Sequence, residues 1–126
     1  MLNRQAILRA VAAALIFVTA APANAENWQD FGADEDGTTA SLDTDSIQAS
    51  GTLRTFAMKY VVPAIPSVAY TIIRQRVDCS ARTVALLHMT AYDKNNEVMV
   101  DQDTNQPANP VRPGTKGETV FNKVCQ

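Results

Sequence analysis

From Leu53 to Val62 the side chains alternate, with Phe56, Met58, Tyr60 and Val62 in one set and Leu53, Thr55, Ala57 and Lys59 in the other. A period of two marks a strand with one buried face. Pro63 and Pro66 end it, since neither can donate to a ladder. Tyr70 to Cys79 repeats the pattern. Thr71, Ile73, Gln75, Val77 and Cys79 form its core set, and Tyr70, Ile72, Arg74, Arg76 and Asp78 turn to water. Thr83 to Asp93 is apolar in both sets: Ala85, Leu87, Met89 and Ala91 in one, Val84, Leu86, His88 and Tyr92 in the other. That pattern predicts a central strand, or one that meets a partner. Lys94-Asn95-Asn96 suits a tight hairpin, because asparagine tolerates positive φ. Glu97 to Asp103 then predicts a fourth long strand with Val98 and Val100 inward.

The flanks are shorter. Trp28 to Phe31 and Thr38 to Leu42 are β-compatible, separated by the turn residues Asp34-Glu35-Asp36-Gly37. Asp43 to Ile47 predicts a tight turn or a single helical turn, and Ser50-Gly51 breaks the chain before the long strands. Pro107, Pro110 and Pro113 make Thr104 to Gly114 an extended loop. Thr115-Lys116-Gly117-Glu118 has the Thr-x-x-Glu spacing of a capping box, and Val120, Phe121 and Val124 follow at helical intervals. The fold class is therefore α+β: an antiparallel β-sheet of about six strands with a C-terminal α-helix packed on one face. Cys79 shares its strand face with Val77 and Ile73, so that face is the one the helix covers.

Residues 1–25 read as a secretory signal peptide, with Arg4 and Arg9 before the uncharged run Ala10 to Ala21 and Ala23-Asn24-Ala25 as the cleavage site. The run is too short for a membrane span. Residues 26–126 then form a single domain in which nine basic residues face 13 acidic ones, a net charge of −4. Such a balance excludes a phosphate backbone as partner, so no nucleic acid is expected, and no membrane span remains after cleavage. No cysteine follows the apolar run, so the chain is not a lipoprotein. A periplasmic location is expected, with secretion or surface association as alternatives. Cys79 and Cys125 would both reach an oxidising compartment, where an intramolecular disulfide tying helix to sheet is expected. Two free thiols or an intermolecular bond are the alternatives.

Chemistry-bearing motifs are sparse. His88 is the sole histidine, and on a strand it points away from Met89. Two cysteines and one histidine without ligand spacing make no zinc site, and Asp34-Glu35-Asp36-Gly37 lacks the ligand number calcium needs. No serine has a base and carboxylate at recognisable spacing, and no phosphate loop occurs. No catalytic residue, no metal and no cofactor is expected, and the chain is not read as an enzyme. The apolar residues of the water-facing sets are more informative. Tyr70, Ile72, Val84, Leu86, His88 and Tyr92 form a candidate self-association face, and a homodimer is its commonest closed solution. The competing explanation is that the proline-rich loop, or the segment around Trp28, folds over this face.

Beyond these local readings, the ordered set of Trp28, Ser41-Leu42-Asp43, Asp45-Ser46-Ile47, Val77-Asp78-Cys79-Ser80, Ala91-Tyr92-Asp93, Val111-Arg112-Pro113-Gly114-Thr115, Glu118 and Val124-Cys125 resembles the surface-adhesin E family of small exported bacterial proteins. The resemblance implies the same sheet with a disulfide-held C-terminal helix. It also implies a non-enzymatic binding module whose protein partner is a host matrix or plasma glycoprotein. The alternative is a soluble periplasmic envelope-maintenance or stress protein with no adhesive role and an envelope partner.

Overall fold

Turns and proline divide the chain into short extended segments, and the computed structural model, which describes residues 26–126, pairs them into one sheet. The expected leader, residues 1–25, lies outside the described residues. β1 (Trp28–Ala33) and β2 (Thr39–Asp43) meet at a turn where Gly37 adopts φ +84°. A side chain there would be strained and would also meet Pro63 Cγ at 3.3 Å. Asp43 then caps a single 3₁₀ turn, Thr44–Ser46, by accepting the Asp45 N–H. β3 (Gln48–Ser50) leads through Gly51 into β4 (Leu53–Val61), β5 (Tyr70–Asp78), β6 (Thr83–Tyr92) and β7 (Val98–Asp103). The proline-rich stretch contributes the two-residue strand β8 (Asn109–Pro110), and α1 (Lys116–Val124) follows.

Every pairing is antiparallel, in the order β1-β2-β4-β5-β6-β7, with β3 added to β4 and β8 to β6. Hairpins make this order, because successive long strands need only short connections. Thr115 Oγ1 accepts the Glu118 N–H at 3.2 Å, and the Glu118 carboxylate reaches back to the Gly114 N–H, one residue before the cap. The start of α1 is thereby satisfied on both sides.

Val120, Phe121 and Val124 of α1 are buried against Ala40, Leu42, Phe56, Met58 and Val77 of the sheet. Each such large side chain contributes roughly 1.5–3 kcal/mol. Two further ties hold the helix to the β5–β6 turn. Cys79 and Cys125 form the expected disulfide, with 5.8 Å between Cα atoms. Arg82, at φ +56° in that turn, places its guanidinium 4.8 Å over the Phe121 ring and 3.2 Å from the Glu118 carboxylate.

The register corrects two expectations. Val77 pairs with Val84 and Gln75 with Leu86, but Arg74 pairs with His88, leaving Leu87 as an extra residue on β6. This bulge reverses side-chain parity within one strand. Val84 and Leu86 consequently lie on the helix side, where Val84 packs on the core, and only Tyr70, Ile72, His88 and Tyr92 of the six expected residues share the open side. A second bulge at Met99 lets Ala91 pair with Val100 and Tyr92 with Val98. Val98 and Val100 therefore face opposite sides of an edge strand and are 58% and 39% exposed, rather than inward.

Candidate functional site

Because the core residues named above occupy one side of the sheet, the other side is left uncovered by the helix, and the register assembles it row by row. At one end Val61 closes β4, Tyr70 pairs with Tyr92, and Tyr92 with Val98. The Tyr70 and Tyr92 rings stack with centroids 4.8 Å apart, and the Tyr70 hydroxyl donates to Asn96 Oδ1 in the β6–β7 turn. The next row runs Ser41, Lys59, Ile72, Thr90, Asp101. Lys59 Nζ sits 4.6 Å from the Trp28 ring centroid and 5.6 Å from that of Tyr70, bridging the edge strand to the middle of the sheet. The third row is Ala57, Arg74, His88, Asp103, and the fourth Thr55, Arg76, Ala85.

His88 is held between two carboxylates of the neighbouring strand. Its Nδ1 lies 2.6 Å from Asp103 Oδ1 and its Nε2 2.5 Å from Asp101 Oδ1, an arrangement that only the doubly protonated ring satisfies by donating twice. The hydrogen bond to Asp103, followed by that to Asp101, raises the imidazole above its ordinary value. His88 in turn lowers Asp101, helped by the Thr90 hydroxyl. Thr90 Oγ1 donates to Asp101 rather than to the imidazole ring. The geometry of the cluster is that of a charged clamp between β6 and β7. Among the described residues no group of three or more His, Cys, Asp or Glu could hold a metal.

A concavity of about 610 Å³ opens on the helix side between α1, the Asn109–Arg112 segment and the sheet, with Phe56, Tyr60, Val77, Val84 and Phe121 among its walls. Burial pushes the Tyr60 phenol up, partly offset by its hydrogen bond with Gln75. The proline-rich segment thus flanks the helix side, where Val111 packs on the core, and does not supply a cover for the four open-side residues, whereas Glu26 and Trp28 stand with Lys59 at the rim of a small depression shared with Tyr70, Ile72 and Tyr92.

Of the residues singled out in the sequence, Tyr70, Ile72, His88 and Tyr92 come together on the open side, and the cysteines lie at the opposite end of β5. Lys59, Arg74 and Arg76 are the basic members of this surface outside that candidate set. Their signal was present: two arginines two apart in the water-facing set of a strand, inside an acidic domain.

With that geometry in place, the chain can be set beside known proteins. The family model of surface-adhesin protein E matches residues 28–126. The selenomethionine form of Haemophilus influenzae protein E aligns at 12% identity and TM-score 0.54, over 83% of this chain and 92% of that one. A second crystal form gives 11% and 0.54 over 83% and 93%. Protein E from non-typeable Haemophilus influenzae gives 10% and 0.53 over 84% and 80%. At such identities the likeness speaks for the fold. No curated protein matches the chain in sequence.

Proposed function

Because the chain belongs to the surface-adhesin protein E family, we propose that it is an exported, non-enzymatic binding module that recognises a host matrix or plasma glycoprotein through the open side of its sheet. The observation that carries this reading is the uncovered face itself. A solvated sheet face is ordinarily polar, yet this one holds Tyr70, Ile72 and Tyr92, with Val61 and Val98 exposed at its end. Exposed apolar surface of this kind marks interaction sites. Export rests on the signal-peptide pattern of residues 1–25 and is supported by the disulfide, which suits an oxidising compartment. No helix among the described residues is long and apolar enough to cross a membrane.

One observation favours a second reading, a soluble periplasmic envelope-maintenance protein. Both cysteines of the chain are joined to each other, which leaves none for lipid attachment. A homodimer through Tyr70, Ile72, His88 and Tyr92 would use the same surface and compete with a partner for it.

Solid-phase binding of residues 26–126 to a panel of matrix and plasma glycoproteins tests the proposal, with Ile72→Glu as the surface variant. Wild type should bind, and the variant, still folded, should bind at least tenfold more weakly. A uniformly blank panel removes adhesion, and recovery of the protein solely from the osmotic-shock fraction then supports the periplasmic reading.

A further inference from the structure

Arg74 and Arg76 stand two residues apart on β5, both exposed and both on the open side. Among the described residues neither forms an ion pair. The carboxylates of the same side are engaged. Asp101 and Asp103 hold His88, Asp30 accepts the Gly32 N–H, and Asp43 accepts the Asn27 and Asp45 N–H groups. Asp78 accepts from Ser80 and Ala81, and Glu26 from the Trp28 indole. Among the described residues an acidic domain thus leaves two guanidinium groups without an ion-pair partner on the open side. Arg76 lies between Thr55 and Ala85, both too small to shield it, and Arg74 lies between Ala57 and His88, whose ring is already held by Asp101 and Asp103. Along the same strand the polar pair gives way to Ile72 and Tyr70, and from Tyr70 to Arg76 the strand runs roughly 20 Å.

We propose that the open side takes an acidic segment of a protein partner, its carboxylates pairing with Arg74 and Arg76 while apolar residues of the same segment pack on Ile72 and Val61. The assignment rests on the reading of this face as the binding surface. Guanidinium forks match carboxylates two bonds at a time, which fixes register as well as charge. A sulfated glycan would offer anions too, but it has no apolar side chains for Ile72 and Val61. The Tyr70 and Tyr92 rings, where a sugar could stack, are already stacked on each other, and Lys59 sits over that of Tyr70.

The test uses residues 26–126 and a synthetic 14-residue peptide that places four glutamates beside Leu-Val-Leu, with a glutamine version and a heparin oligosaccharide as controls. Amide and guanidinium resonances of Ile72, Arg74 and Arg76 should shift with the glutamate peptide. Affinity should fall about tenfold in R74Q/R76Q, and comparably for the glutamine peptide. R74K/R76K, which keeps both charges, should lose only part of it. Equal binding of the glutamate and glutamine peptides, equal binding by R74Q/R76Q, or shifts at the arginines with heparin alone would overturn the proposal. The glycoprotein panel separates the two levels. If Ile72→Glu abolishes binding while R74Q/R76Q leaves it and its salt dependence unchanged, the face stands and the acidic partner falls. If neither variant alters binding, the face itself falls.

Discussion

Replacing both Cys79 and Cys125 with serine removes a bridge that spans a sequence separation of 46 residues without leaving an odd thiol. In the chain-entropy treatment, closing a loop of that length restricts the denatured chain by about 4 kcal/mol at 25 °C. Domains of this size have about 5–15 kcal/mol in total, so the bridge is a large fraction of the margin. The native state should nevertheless survive the change. Val120, Phe121 and Val124 remain buried on the sheet, and Arg82 still contacts Phe121 and Glu118. Urea titration of the wild type and the double variant at equal protein concentration is the measurement. With a slope of roughly 1–1.5 kcal/mol/M, the midpoint should drop by about 3 M. The slope should also rise, because an unbridged denatured chain exposes more surface. A loss below about 1 kcal/mol with an unchanged slope would refute the reasoning, and would mean that packing of α1 alone secures the C-terminus.

Two other measurements probe the local electrostatics and the helix start. His88 is raised above its ordinary value, so its contribution is fully present below about pH 6.5 and is lost as pH climbs through the folded value; Asp101 is lowered, so its share is present above about pH 4 and is lost on acidification through its own folded value. The β6–β7 clamp should therefore be firmest between these limits. An imidazole resonance titrating at or below pH 6.5 would contradict this, and His88→Gln should flatten the neutral part of the profile. Thr115→Ala, which leaves the Glu118 N–H without its acceptor, should cost about 1 kcal/mol in thermal or urea unfolding, and no measurable loss would show that the Glu118 carboxylate suffices.

Period-two alternation located β4, β5 and β6 within a residue or two, and the Thr-x-x-Glu spacing located α1, because both patterns reflect geometry within one element. What escaped detection depends on pairing between elements. The extra residues Leu87 and Met99 carry no local mark; a bulge is visible only when the partner strand is laid beside it. One uncounted residue sent Val84 and Leu86 to the helix side, and another sent Val98 and Val100 to opposite sides of an edge. The open face was thus half legible: Tyr70, Ile72, His88 and Tyr92 were placed together from sequence. The clamp of His88 by Asp101 and Asp103 required the β6–β7 register, and the isolation of Arg74 and Arg76 required knowing which carboxylates were already engaged.

The one-sided placement of the core also bears on how such a chain can diverge. Thr55, Ile72, Arg74, Arg76 and Thr90 stand outside the cluster that α1 packs upon, and substitutions at the exposed Arg74 and Arg76 should change stability by little. The open face can therefore change in chemistry while Leu42, Phe56, Met58, Val77 and the helix stay under tight packing constraint. A fold shared at 10–12% identity with protein E fits that division of labour: one surface of the sheet holds the architecture, and the other can be rewritten without disturbing it.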